Sequence, residues 1–83
     1  MELDLHGYTL SETVDEVFYE VEDLRGFEGK TFSVVHGFNS GTVLKRYFNS
    51  RDFIEDMREY GILVMKTGNP NPGVTTFEIL GFA

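Results

Sequence analysis

The chain has 83 residues, 41% hydrophobic and 14% aromatic, which is the composition of one folding domain over residues 1–83 and excludes both a disordered tail and a large enzyme with a deep enclosed pocket. It lacks cysteine, which excludes disulfide scaffolds and thiolate zinc sites, and it has no run of about 18 apolar residues to span a membrane. The formal charge is −7, which argues against broad nonspecific binding to nucleic acid.

That charge is uneven. Residues 1–28 hold nine acids and one base, residues 29–66 hold six bases and four acids, and residues 67–83 add only Glu78. A surface for nucleic acid is therefore expected in the middle third. Met1 is followed at once by Glu2 and Asp4, which does not read as a secretory signal, so a cytoplasmic protein without a membrane partner is expected.

Glu2 to His6 alternates polar and apolar residues, with Leu3 and Leu5 on one face and Asp4 and His6 on the other, and predicts a short strand ended by Gly7. Thr9-Leu10-Ser11-Glu12 is a capping box. Leu10, Val14, Val17, Phe18, Val21 and Leu24 follow at helical spacing behind an acidic outer face. This helix should end near Arg25, with Gly26 as its C-terminal glycine. Thr31 to His36 predicts a central strand and residues 37–41 a tight loop. Val43, Leu44, Tyr47 and Phe48 form the stripe of a second helix. Phe53, Ile54, Met57 and Tyr60 continue it after a weak stretch at residues 49–52, as one kinked helix or two, with Asp52 and Glu55 as a second cap. Gly61 stops it. Ile62 to Lys66 predicts a strand, residues 67–73 a loop, and Val74 to Leu80 the last strand. The order β-α-β-α-β-β, with parallel pairing across the first units and a final hairpin, gives an α/β two-layer sandwich with a mixed four-stranded sheet. Most of the tyrosines and phenylalanines are expected in the core.

Two segments carry chemistry. In Leu3-Asp4-Leu5-His6-Gly7, Asp4 and His6 share one strand face near its C-terminal end, where α/β folds place their sites. A carboxylate beside an imidazole can orient a base, tune it, or hold a divalent metal. It can equally just close a turn. In His36-Gly37-Phe38-Asn39-Ser40-Gly41 a strand ends and a helix opens. Free amides at such a helix start attract phosphate or carboxylate, although the glycines also suit a plain turn and Ser40 a plain N-cap. Lys45 and Arg46 follow early in the helix. These two, with Arg51 and Arg58 further on, also read as a solvated face, and Lys66 as an edge-strand gatekeeper.

Together, Leu-Asp-Leu-His-Gly, a helix, a β-strand, then His-Gly-x-x-Ser-Gly opening a second helix resembles the Smr (small MutS-related) domain family. The ending at residues 73–80, Gly-Val-Thr-Thr-Phe-Glu-Ile-Leu, is similar to that family's last strand. The resemblance runs from Leu3 to Leu80. It implies a β-α-β-α-β-β sandwich and binding to DNA or RNA. It also implies an endonuclease that nicks DNA or cleaves RNA, in some members with a divalent metal, here Mg²⁺ or Mn²⁺ with Asp4 as ligand. Carried over by position, Asp4, His6 and His36 would be the catalytic candidates. Gly37, Phe38, Asn39, Ser40 and Gly41, with Lys45 and Arg46, would grip the phosphate backbone. Such domains occur alone or attached to a larger host protein. The chain departs from the family's usual His-Gly-Lys-Gly-x-Gly loop. Phe38 stands at the lysine position and Asn39 at the next glycine, which removes a cation and offers a ring for stacking on an unpaired base. The alternative expectation is a non-catalytic module that keeps the fold and binds nucleic acid or protein. A third, an acidic decoy that mimics nucleic acid, rests on the charge of the first helix alone.

Overall fold

The computed structural model describes residues 1–24, 28–37 and 42–83. The elements are β1 (Glu2–Asp4), α1 (Leu10–Glu22), β2 (Thr31–Val35), α2 (Thr42–Asn49), α3 (Arg51–Glu59), β3 (Ile62–Asn71) and β4 (Val74–Phe82). The four strands form one mixed sheet in the order β1-β2-β4-β3. β1 runs parallel to β2, and β4 is antiparallel to both β2 and β3. Period-two alternation explains the layering. Leu3 on β1, Phe32 and Val34 on β2, Phe77 and Ile79 on β4, and Ile62 and Val64 on β3 are all buried on one face. The intervening residues Asp4, Ser33, Thr76 and Met65 are exposed or half-buried on the other. Every helix contributes to the buried layer: Val17 and Val21 from α1, Leu44 and Phe48 from α2, Phe53 and Met57 from α3. The result is the expected two-layer α/β sandwich.

α1 starts where its capping box places it. The Thr9 hydroxyl accepts from the Glu12 amide at 3.2 Å, and the Glu12 carboxylate accepts from the Thr9 amide at 2.9 Å. Those bonds hold the Glu12 carboxyl below the usual carboxylate range. The helix ends at Glu22 with Asp23 as its C-cap, earlier than the expected Arg25. The Leu24 amide tightens onto Val21 O at 2.9 Å, and the last turn carries no base while Glu22 and Asp23 sit at the negative end of the dipole. Arg25 and Gly26 lie outside the described residues.

The second helical region is two helices, so the chain reads β-α-β-α-α-β-β. Ser50 breaks it: its hydroxyl accepts from the Asp52 amide at 3.1 Å and caps α3. The expected cap at Asp52 is therefore displaced two residues upstream. Tyr47 OH donates to Asp56 Oδ2 at 2.6 Å across the two helices. Burial, then this bond to a carboxylate, pushes the Tyr47 phenol far above its ordinary range. At Gly61, φ is +81°, a conformation glycine adopts without the Cβ clash.

β3 corrects the prediction most. It runs to Asn71, through residues expected as loop, and β4 continues to Phe82. β3 is an edge strand, so Pro70 needs no outward partner, and register irregularities at Lys66/Gly68 and Gly68/Asn71 absorb the misfit. At the other edge β1 is shorter than expected, ending at Asp4 with residues 6–7 in a turn, and β2 ends at Val35 before His36. The tyrosines also depart from expectation. Tyr47 is buried, but Tyr8, Tyr19 and Tyr60 are exposed, in keeping with hydroxyls that remain in water.

Thr13 lies on the buried face of α1, and its Oγ1 has no hydrogen-bond partner among the described residues. A buried hydroxyl without a partner costs free energy that its isostere avoids. Thr13→Val should therefore raise stability by about 1 kcal/mol in urea unfolding. A loss of stability would show that the hydroxyl is bonded.

Among the described residues no helix is long and apolar enough to cross a membrane.

Candidate functional site

Asp4 is the last residue of β1 and His6 sits in the turn that follows. Asp4 alternates with buried Leu3 and Leu5, so its carboxylate stays in solvent. The His6 ring Nδ1 donates to Asp4 Oδ1, and the His6 backbone amide donates to the same oxygen at 3.3 Å. The two side chains are 61% and 68% exposed, so the pair is open to a ligand. The imidazole beside it, and then the amide, hold the Asp4 carboxyl below the usual carboxylate range. With Nδ1 committed to the carboxylate, Nε2 is the ring nitrogen available for a substrate proton.

β1 and β2 are neighbours, and Leu5 N donates to Val35 O at 2.8 Å, so the turn after β1 lies beside the chain after β2. Gly37 has φ +77°, and a Cβ built there would stand 3.5 Å from His6 Cβ. The structure thus brings Asp4, His6 and Gly37 together. The Gly37 amide itself is taken by Gly73 O at 3.1 Å, and the His36 amide by the same oxygen at 2.9 Å. Phe38, Asn39, Ser40 and Gly41 lie outside the described residues.

His36 goes elsewhere. It continues the parity of Phe32 and Val34 into the helix-covered face and is fully buried. Its Nδ1 is 2.8 Å from Gly37 O, which can only accept, so Nδ1 carries the proton. Its Nε2 is 2.9 Å from Thr75 Oγ1. The Thr75 hydroxyl already accepts from Asn49 Nδ2 at 3.2 Å and Asn69 Nδ2 at 2.9 Å. Two lone pairs are then used, and the single hydroxyl proton goes to His36 Nε2. Asn49 Oδ1 in turn accepts from Lys66 Nζ at 2.7 Å, and Asn49 Nδ2 also donates to Lys45 O at 2.8 Å. One buried hydroxyl thereby ties the ends of β2 and β4, α2 and the β3–β4 hairpin.

Thr75→Val keeps the shape and removes that hydroxyl. It leaves His36 Nε2 buried without a donor and frees both asparagine amides. We expect a loss of about 2 kcal/mol in urea unfolding, with amide resonances of residues 36, 49 and 69 displaced. A change under about 0.5 kcal/mol, the level of an inert surface substitution, would show that the network holds nothing.

Lys45 and Arg46 point to different hollows. Lys45 joins Asn49, Asn69, Pro70, Asn71 and Pro72 around a groove of about 550 Å³ between α2 and the hairpin tip. Arg46 lines a smaller hollow of about 300 Å³ with Leu10, Val43 and Tyr47. Arg51 pairs with Glu55 at 3.8 Å on an exposed helix face, a contact of little energetic weight. Sequence reasoning missed Thr75 and Asn49, and read Asn69 only as part of a tip, residues 69–73, that is either a ligand contact or a simple turn. The signal available was three short polar side chains flanking an otherwise apolar strand and helix stripe.

No family model, curated protein sequence or solved structure matches this chain.

Proposed function

We propose that this chain is an Smr-like nucleic-acid-binding domain that hydrolyses a phosphodiester of DNA or RNA with Asp4 and His6. The observation that carries the reading is the solvent-open Asp4–His6 pair set against Gly37, at the C-terminal ends of two adjacent parallel strands. Asp4 fixes the ring with Nδ1–H toward it, so Nε2 can take a proton from water. The water oxygen attacks phosphorus, the bond to the leaving sugar oxygen breaks, and that oxygen takes up a proton. Residues 38–41 are the phosphate grip of this proposal, with Lys45 supplying charge nearby. Among the described residues no three His, Asp or Glu side chains converge on one point. A Mg²⁺ or Mn²⁺ ion would therefore be held by the Asp4 carboxylate together with substrate phosphate, a common arrangement for Mg²⁺. His36, being buried, acts by positioning Gly37 and Thr75.

The burial of His36 also favours a second reading: a non-catalytic module, alone or on a larger host protein, that uses the same edge to bind nucleic acid or protein. Cleavage separates the two. At low salt and alkaline pH, with and without Mg²⁺ or Mn²⁺, the wild-type chain is expected to nick supercoiled plasmid or cut structured RNA. Wild type and Asp4→Ala giving identical products, or none, would overturn the catalytic reading.

A further inference from the structure

Apart from the charge of Lys45, the groove between α2 and the hairpin tip lies outside the chemistry proposed above, yet its walls are built from polar groups held in place. We infer that it is a nucleotide subsite: it takes one unpaired nucleotide of a single strand, next to the phosphodiester at Asp4 and His6. The inference rests on the nucleic-acid reading of that edge.

Four observations carry it. The first is charge. Residues 36–50 and 61–77, which supply the groove and its supports, contain Lys45, Arg46 and Lys66 and no acid, in a chain with 14 acids. Lys45 lines the groove, and Lys66 stands behind it, bonded to Asn49 Oδ1. An anion is attracted here as nowhere on the acidic first helix. The second is size. A groove of about 550 Å³ lies in the range that accepts small organic ligands. A base within a duplex is stacked on both faces, so it must be unstacked to enter.

The third is chemistry. Pro70 and Pro72 offer apolar ring faces, and Asn69 Oδ1 and Asn71 Nδ2 offer an amide acceptor and donor suited to a base edge, while Asn49 is committed to Lys45 O, Thr75 Oγ1 and Lys66 Nζ. Asn69 Nδ2 is spent on Val74 O and Thr75 Oγ1 at 3.0 and 2.9 Å, and neither bond uses its Oδ1. The wall is thereby fixed before a ligand arrives, which lowers the ordering cost of binding. The fourth is placement. His6 Cβ lies against Gly37, Gly37 N bonds Gly73 O, and Gly73 N bonds Asn71 Oδ1 at 2.9 Å. The groove wall and the Asp4–His6 pair are thus joined through two glycines, so a strand running over Gly37 passes from one to the other.

The test is ¹⁵N–¹H NMR of the full chain titrated with a thymidine octamer and, separately, with a blunt DNA duplex. The octamer should shift the amides of Lys45, Asn49, Asn69 and Asn71 together with those of His6 and Gly37, and the duplex should leave the groove amides in place. Lys45→Glu, an exposed substitution, should weaken the octamer about tenfold. Lys45→Gln should lower the slope of log affinity against log salt by about 0.7. Tyr19→Ala, exposed on α1 away from both sites, should keep the octamer affinity. Shifts at His6 and Gly37 with silent groove amides would overturn the subsite and leave the proposed function standing. Equal groove shifts with the duplex would overturn the unpaired-nucleotide claim. No shift with either probe would overturn both proposals.

Discussion

Phe53→Ala should cost about 4 kcal/mol, the upper part of the range for truncating a buried aromatic. Phe53 is fully buried, and its ring lies 4.7 Å from Phe77, 4.8 Å from Phe48, 5.8 Å from Tyr47 and 6.4 Å from Phe32. It joins both short helices to the two central strands. Removing it forfeits apolar burial and four ring contacts, and the cavity sits where helix and sheet have least freedom to close. A domain of this length has about 4–12 kcal/mol of total stability, so the variant keeps about two-thirds of it at most. Its Tm should fall by about 15–30 °C. Tyr19→Ala, at an exposed site, is the control and should stay within about 0.5 kcal/mol of wild type. A Phe53→Ala loss under 1 kcal/mol would show that the aromatic cluster is not the core of this fold.

Phe53 was legible as a core residue because helical spacing places it with Met57 on one stripe. Where the pattern was local and periodic, the fold followed it: the Thr9–Glu12 capping box, the alternation in β1 and β2, the final hairpin. The departures come from groups whose partners are distant in sequence. Residues 67–71 carry glycine, asparagine and proline and read as a loop. They enter β3 because β4 offers them a ladder and the open edge tolerates Pro70. Ser50 and Asp52 both suit a helix start, and the choice between them depended on how α2 packs Tyr47 and Phe48.

The same division runs through the site. Asp4 and His6 lie two apart in sequence at the end of β1, so their meeting was visible in the residues alone. His36 has the same flanking glycine and ends its strand similarly, but the parity of β2 sends it inward. Its burial became evident only once Thr75, 39 residues away, supplied a partner for Nε2. The groove was invisible for a related reason. Its members come from α2 and the hairpin tip, and only Lys45 among them was expected to meet phosphate. The charge pattern was the surviving trace, because the stretches that meet there are those without acids.

His6→Gln should reduce cleavage by about 10²–10⁴-fold, the usual contribution of a positioned acid–base group, while the fold and strand affinity stay close to wild type. His6 and Asp4 are both mainly in solvent, so neither substitution opens a cavity or strands a buried charge. Asp4→Ala should cost a similar factor. Without the carboxylate, nothing holds Nδ1–H in place, and the tautomer that presents Nε2 as a base is no longer selected. Because the two act as one unit, the double variant should be no worse than the weaker single variant. The pH profile separates their roles. Asp4 is held below the usual carboxylate range, first by the His6 ring and then by its amide. It therefore remains ionised throughout the range in which nuclease assays are run. An acid limb seen above the carboxylate range therefore does not come from Asp4, and Asp4→Ala should remove rate without moving that limb. The sign for stability is the opposite of a histidine's: the depressed Asp4 contributes above about pH 4, and its contribution is lost as pH falls below that. Quantitative cleavage by single and double variants at several pH values decides the matter. If all of them cut as wild type does, the Asp4–His6 pair only closes the turn after β1, and strand binding without cleavage becomes the function of this edge.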